Sequence, residues 1–374
     1  MIKVNELFSG IGAFRKALER LNIPHEIVGI SEIDKHAIKS YEAIFGVTRN
    51  YGDISKIDKL DYADMWTYGF PCQDISISGL QGGIVKNKTR SGLLYEVQRL
   101  LITAALYDEL PKYLILENVK NLIGKRFIND FNSWLEWLEC IGYNNYWEVT
   151  NAKDFGVPQN RERVFVVSIR KDIDDKSFEF PKKLPLAKTL REVMETEVDE
   201  KYFLDDKYEY VLKVNDNYSL LYGGTIGKMT DIYRRVYNPD YVSPTIHTCP
   251  GGNTQPRVFD PCVIGGVGEK KSNDGGQWYQ QDRIYDDRVS ISVTTSANPY
   301  YIDTLQGRPR KLTPRECWRL MSFGDDDFDK VEKICSPRQL YKQAGNSIVV
   351  KVVESILNNL LLGGANDRTK NHYT

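Results

Sequence analysis

At 374 residues, 41% of them hydrophobic, the chain is long enough for one large domain or two modest ones with a buried core. Its 50 basic and 51 acidic residues leave a formal charge of −1, which speaks against a uniformly cationic nucleic-acid binder but leaves room for a local basic cleft. No apolar run approaches the roughly 20 residues of a membrane span, and the polar start Met1-Ile2-Lys3-Val4-Asn5-Glu6 reads as no signal peptide. The six cysteines form no C-x-x-C pair and the four histidines lack ligand spacing, so reduced thiols and no metal are expected. Segments 86–90 and 120–126 are basic and 325–329 is acidic; each, taken alone, reads as a solvated face.

Short apolar runs predict strands over 3–8, 26–31, 65–70, 113–117, 146–151 and 164–169. Helical periods fall between them, over 12–21, 35–45, 93–107 and 131–140. This alternation predicts an α/β fold: a doubly wound, mostly parallel sheet that binds ligands beyond the carboxyl ends of its strands. From about 185 to 305 the chain turns rich in Gly, Asn, Asp, Tyr and Thr, a smaller loop-rich β region. It holds a degenerate repeat: 235–246 resembles 283–293, which suggests two similar hairpins of one small domain. Past Pro309 helices return. Thr313-Pro314-Arg315-Glu316 is a helix start, with a Thr cap, Pro in the first turn and Glu three residues on. Ile348, Val349, Val352, Val353, Ile356, Leu357, Leu360 and Leu361 then recur at helical spacing until Gly363-Gly364. Lacking a core of its own, this last helix is expected to pack on the first part of the chain. The expected domains are therefore 1–184 with 306–374, and 185–305 inserted between them.

Chemistry-bearing residues gather at the predicted strand ends. Leu7-Phe8-Ser9-Gly10-Ile11-Gly12 joins a strand to a helix, where small residues let backbone N–H groups approach a ligand. Glu32 closes the second strand, where a carboxylate can take two ribose hydroxyls, and Asp53 with Ile54 stands where an adenine amino group could lie. Each alone reads as turn or surface; together they favour a nucleoside-bearing cofactor. Gly69-Phe70-Pro71-Cys72-Gln73 places a Cys at a strand end behind a Pro, as a nucleophilic thiolate requires. A lone Cys there is more often structural, but two further motifs alter the odds. Glu117-Asn118-Val119 follows an apolar strand, so burial should raise the Glu117 pKa toward neutrality. Gln159-Asn160-Arg161-Glu162-Arg163 sets two arginines on alternate residues of an extended segment, both free to face a base or a phosphate. Thiolate, acid and guanidinium at one sheet edge suit attack on an electron-poor ring.

Taken together and in order, these motifs resemble those of the DNA cytosine-5 methyltransferase family of bacteria and phages, over nearly the whole chain. Arg310-Lys311-Leu312-Thr313-Pro314-Arg315-Glu316 and Gln343-Ala344-Gly345-Asn346-Ser347 look like its two C-terminal motifs. Departures are Ala13, where many members carry a further Gly, and Ile33, where an aromatic often stands. The resemblance implies a Rossmann-like catalytic domain using S-adenosyl-L-methionine, with Phe8, Gly10, Gly12, Glu32, Ile33, Asp53, Ile54, Pro71, Leu93, Asn346 and Ser347 in its pocket. It implies attack of Cys72 on C6 of a cytosine, with Glu117 on the N3 edge and Arg161 and Arg163 on the O2 side and the neighbouring phosphate. Since the target carbon is inaccessible in a stacked duplex, the base must flip out, as methyltransferases are noted to require. The Gly-rich stretch 76–83 reads as a lid over double-stranded DNA, with Gln73, Ser76, Ser78 and Arg90 as contacts. The 185–305 region falls where the family carries target recognition, with Arg235, Thr245, Asn253, Arg283 and Ser292 as candidate readers. The whole would be a monomeric, cytoplasmic restriction-modification or phage enzyme. A related RNA cytosine methyltransferase is the competing reading, and an insertion of about 120 residues, well beyond an ordinary loop, favours duplex DNA.

Overall fold

Near-continuous apolar runs in the central strands build one six-stranded sheet with both faces buried. The computed structural model describes residues 1–71, 90–186, 188–203, 214–215, 218–222, 235–237, 242–248, 256–260, 265–266, 283–286, 300–302 and 308–363. The first part runs β1 (Ile2–Leu7), α1 (Ala13–Arg20), β2 (His25–Ser31), α2 (Lys35–Phe45), β3 (Met65–Tyr68), α3 (Leu94–Leu106) and β4 (Tyr113–Val119). It continues with α4 (Ile128–Cys140), β5 (Tyr143–Asn151) and β6 (Glu162–Arg170). The strand order is β2-β1-β3-β4-β6-β5. The first four are parallel, and β6 runs antiparallel to both β4 and β5. Met65, Ile115, Phe165 and Val167 face one core with Phe14 and Leu18 of α1, while Trp66, Leu114, Leu116, Val164 and Val166 face another with Val97, Leu101 and Phe131. Helices thus cover both faces of a near-parallel sheet, as expected from the sequence.

The topology has a consequence for chemistry. Strand order reverses at β1, between β2 and β3, and such a switch point opens a crevice at the carboxyl ends. Because β6 is antiparallel, its amino end reaches that same edge: Val119 at the end of β4 pairs with Arg163.

The C-terminal stretch supplies α5 (Pro314–Leu320), α6 (Asp325–Glu332), α7 (Pro337–Asn346) and α8 (Val350–Leu362). The expected cap of α5 is present, with Thr313 accepting from the Glu316 N–H at 3.2 Å. Val353, Ile356 and Leu357 of α8 share a core with Phe14, Ala17 and Leu18 of α1, so the last helix does pack back on the first part of the chain. The acidic run 325–329 is not a plain solvated face. It opens α6, where carboxylates complement the helix dipole, and pairs with cations: Asp325 with Arg319 at 2.7 Å, Asp329 with Arg315 at 2.6 Å, and buried Asp327 with Lys16 at 2.9 Å.

Further strands are β7 (Val214–Asn215), β8 (Tyr218–Tyr222), β9 (Arg235–Tyr237), β10 (Arg257–Asp260), β11 (Gly265–Gly266), β12 (Arg283–Asp286), β13 (Tyr300–Ile302) and β14 (Arg308–Lys311). They form a five-stranded sheet, β14-β10-β9-β8-β7, and a three-stranded one, β11-β12-β13. The two repeat copies begin as β9 and β12, which belong to different sheets, and the rest of the second copy lies outside the described residues. The five-stranded sheet is tied to α5 by a buried fork. Arg310 of β14 donates through both terminal nitrogens to Glu316 of α5, at 2.8 and 2.9 Å, and both side chains are fully buried. Glu316 also accepts the N–H groups of Thr313 and Glu195, at 2.7 and 2.8 Å. Residues 190–193 form a turn against α5, with Leu190 fully buried. Among the described residues no helix is long and apolar enough to cross a membrane.

A buried acid sets the loop after β1. Glu6 accepts the Arg15 N–H of α1 at 3.0 Å and the Tyr41 hydroxyl of α2. Burial pushes its carboxyl up to about 7. An acid whose folded pKa is raised from 4.5 contributes stability that is complete below its unfolded value and lost as pH rises through about 7. Wild-type stability should therefore fall by on the order of 2–3 kcal/mol between pH 5 and pH 8 from this group. In Glu6→Gln that component should vanish, as urea unfolding at the two pH values would show; an unchanged slope would contradict it.

Candidate active site

The loop after β1 owes its shape to left-handed backbone at Phe8 (φ 58°), Gly10 (φ 56°) and Gly12 (φ 82°). It is pinned to the end of β2: the Phe8 N–H donates to the Ser31 carbonyl at 2.7 Å, and the Gly10 N–H to Glu32 Oε2 at 2.9 Å. Glu32 Oε1 accepts the N–H groups of Ile33 and Asp34, both at 2.8 Å. Three backbone donors thus fix this carboxylate where the sequence placed a ribose ligand. Asn50, which carried no motif signal, organises the next loop, accepting from the Glu32 and Gly52 N–H groups and donating to the Glu32 carbonyl. Asp53 accepts from the hydroxyl and N–H of Ser55, which hold its carboxyl below the usual range.

These loops line one cavity of about 540 Å³ at the carboxyl edge of the sheet. Phe8, Gly10, Glu32, Ile33, Asp53 and Ile54 border it on the β1–β2 side; Pro71, Leu93, Glu117, Arg161, Arg163, Asn346 and Ser347 complete the residues expected from sequence. Gly12 does not border it. A Cβ there would lie 2.5 Å from the Phe45 ring and 2.7 Å from Tyr41, so this glycine serves the α1–α2 packing instead. Ile33 is 72% exposed and borders the cavity, an apolar surface at the position where the family resemblance implies an aromatic. Lys342 and Gln343 of α7 also line it; Gln343 opens the C-terminal motif, whereas Lys342 did not stand out in the sequence. Lys342 pairs with Asp34 across the rim, and Gln343 donates to the His36 carbonyl at 3.0 Å and the Ser40 hydroxyl at 2.8 Å.

Opposite the β1–β2 side, Glu117 lies near the carboxyl end of β4 at 9% exposure, with Oε1 3.1 Å from Arg163 Nε. Burial raises its carboxyl above the usual range, and the Arg163 guanidinium offsets part of that rise. Gly69 sits against it: a Cβ there would stand 3.3 Å from the Glu117 carbonyl oxygen. Asn118 turns the other way and donates to the Phe70 carbonyl at 3.1 Å, which fixes the strand end leading to Pro71. The motif residues Cys72, Gln73, Ser76 and Ser78 lie outside the described residues, as do Asn253 and Ser292.

The two arginines share the cavity wall but not the expected freedom. Arg163 faces Glu117, whereas Arg161 is 3% exposed and its guanidinium donates to the carbonyls of Ile246, Gly345 and Ser347. It therefore is not aimed at a phosphate. Thr245, expected on DNA, donates its hydroxyl to the Asn160 carbonyl at 2.7 Å. Arg90 opens the turn before α3, and Arg235 and Arg283 begin β9 and β12.

Residues 2–361 match the model of the family described as C-5 cytosine-specific DNA methylase. The chain is 33% identical to the type II methyltransferase M2.ScrFI of Lactococcus lactis subsp. cremoris, across 96% of this chain and 99% of that protein. It is 35% identical to the orphan methyltransferase M.SPBetaI of Bacillus phage SPbeta, across 96% and 97%. Its fold is similar to that of S. pombe Dnmt2 methyltransferase, with a TM-score of 0.62 at 20% identity over 98% of this chain and 100% of that one. Sheet, cavity and sequence likeness agree: the chain belongs to the C-5 cytosine-specific DNA methylases of the bacterial and phage type, enzymes that methylate cytosine in DNA with S-adenosyl-L-methionine.

Proposed function

We propose that the chain methylates C5 of a cytosine flipped out of a specific duplex sequence, through a covalent bond between Cys72 and C6. The observation that carries this reading is that one cavity is bordered by Phe8, Glu32 and Asn346 and also by Glu117, Arg163 and Pro71, the residue before Cys72. A cofactor pocket and a base pocket would thereby be continuous.

The residues fit the cofactor. Gly10 and Gly52 border the cavity with left-handed backbone, and nothing lies within 4 Å of where their Cβ would project. Gln343 Oε1 is buried with no hydrogen-bond partner. Glu32 would take the ribose hydroxyls, Asp53 the adenine amino group, Phe8, Ile33, Ile54 and Leu93 the adenine faces, and Asn346 and Ser347 the amino-acid end. When bound, S-adenosyl-L-methionine supplies an electrophilic methyl group.

The chain's own residues would do the rest. The Cys72 thiolate bonds to C6, sending the ring's electron pair toward C5. Glu117, protonated more readily because it is buried, holds the N3 and amino edge of the base and favours the electron-rich ring. Arg163 keeps Glu117 in place and reaches the O2 side. Once C5 carries the methyl group, its proton passes to water, the C–H pair re-forms the C5–C6 double bond, and Cys72 leaves as the thiolate with the C6–sulfur pair. We assign 1–184 and 306–374 to this catalytic unit and 185–305 to target recognition. The 76–90 stretch would close over the DNA, with Gln73, Ser76, Ser78 and Arg90 as contacts. The enzyme would act as a monomer in the cytoplasm of a bacterium or a phage-infected cell, in restriction-modification or phage self-protection.

A duplex carrying 5-fluorocytosine at the target should trap the enzyme as an adduct that peptide mapping places on Cys72. Cys72→Ser should give no adduct and under a tenth of wild-type turnover, because a hydroxyl cannot match the thiolate near neutral pH. Retained turnover in a folded variant would overturn the assignment. Alanine substitution through 234–253 and 283–295, scored by methylation of a randomised duplex library, should change the preferred sequence. Each lost base contact should cost about 1–3 kcal/mol of discrimination, with larger effects from the first copy (Arg235, Thr245, Asn253) than from the second (Arg283, Ser292). A preference unmoved by every folded variant would exclude both stretches as readers.

A further inference from the structure

Arg161 bridges two segments that are far apart in sequence. Its Nη1 donates to the Ile246 carbonyl at 3.0 Å. Its Nη2 donates to the carbonyls of Gly345 at 3.0 Å and Ser347 at 2.7 Å. Ile246 lies in the segment 242–248, after which the chain leads into the rest of the 185–305 region. Gly345 and Ser347 lie at the end of α7, on the cavity wall. The two segments also touch directly. A Cβ on Gly345 would fall 2.3 Å from the His247 carbonyl carbon and 2.4 Å from the Thr248 nitrogen, so the backbones meet where only glycine fits. On its other side the segment pairs with 158–160: the Ser243 N–H donates to the Pro158 carbonyl at 2.7 Å, and the Asn160 N–H to the Ser243 carbonyl at 2.8 Å. Ile246 is 1% exposed and belongs to the main core.

We infer that Arg161 is a positioning residue that makes the 242–248 segment and the Gly345–Ser347 turn move as one unit, so that filling the cavity fixes the segment leading into the recognition region. The inference rests on reading the cavity as a cofactor site. A guanidinium is a rigid planar fork, so carbonyls held on its two arms keep a fixed mutual geometry. Buried charge-assisted hydrogen bonds resist stretching because no water stands ready to replace a lost partner. A ligand that restrains Asn346 and Ser347 therefore restrains Ile246 as well. By linkage, whatever restrains the segment from the DNA side favours the ligand equally. Lysine cannot substitute, since an ammonium on a flexible stem does not hold two segments at set angles.

Hydrogen–deuterium exchange on the full chain without DNA tests this, with S-adenosyl-L-homocysteine as the probe and its binding followed by calorimetry. In the wild type, saturation should slow exchange across 242–248 by about five-fold or more. In Arg161→Lys, calorimetry should still register binding and the 8–12 loop should still gain protection, while 242–248 gains none. Backbone pairing to 158–160 is untouched by that change and keeps the segment docked. Gly345→Ala, which forces the backbones apart with Arg161 intact, should lose the same protection and carries the test alone if Arg161→Lys fails to fold. Protection equal to wild type in either folded variant overturns the inference, as does a wild type that binds the probe without protecting 242–248. A wild type that binds no probe overturns the cofactor reading itself, and this inference with it.

Discussion

A carboxylate can be buried at the edge of this sheet because a guanidinium stands beside it. Glu117 and Arg163 are brought to 3.1 Å by the antiparallel pairing of β4 with β6, and without that pairing the sheet would end at β4 with its acid facing an open edge. An uncompensated buried charge costs several kcal/mol, so the pair constrains both strands and the loops that follow them. Burial makes the acid more readily protonated, and the guanidinium beside it offsets part of that rise while holding the carboxylate in one orientation. Asn118 carries the constraint onward to Phe70, and so to the strand end that precedes Cys72.

The cavity is completed from the far end of the chain. Lys342, Gln343, Asn346 and Ser347 come from α7 and the turn after it, and they are held there by α8 packing on α1 and by Arg161. The Arg310–Glu316 fork performs a similar task for the five-stranded sheet, whose last strand runs directly into α5. A buried ion pair of this kind adds little net stability over an apolar substitute, but breaking it is costly. It is best understood as fixing where the five-stranded sheet meets α5. The five-stranded sheet and the cavity wall are thus both joined to the rest of the described fold through buried polar contacts.

Much of this was legible in the residues. The alternation of strands with helical periods gave the mostly parallel sheet, and the helical period over 35–45 gave α2 at its observed ends, where the structure shows Asp34 capping one and Gly46 terminating the other. Glu32 and Glu117 were visible because an acid after an apolar run is chemically conspicuous. What escaped the sequence was non-local. Nothing near Arg161 in the chain indicates that its donors meet carbonyls 85, 184 and 186 residues away. Gly12 looked like a ligand-facing glycine because its constraint, the rings of Tyr41 and Phe45, comes from another helix. The acidic run at 325–329 hid a helix start, since its arginine partners Arg315 and Arg319 sit on the preceding helix. Asn50 carried no signal, because an amide that organises two loops is indistinguishable in sequence from a surface residue.

The central claim is that Glu117 acts on the base and Glu32 on the cofactor within one cavity. It is tested most directly by measuring, on Glu117→Gln, the calorimetric affinity for S-adenosyl-L-homocysteine alongside the single-turnover rate of methyl transfer to duplex DNA. The account predicts an affinity within about two-fold of wild type, with a rate lower by on the order of 100-fold or more. A collapse of cofactor affinity with the single-turnover rate preserved at saturating cofactor would place Glu117 on the cofactor and contradict the account.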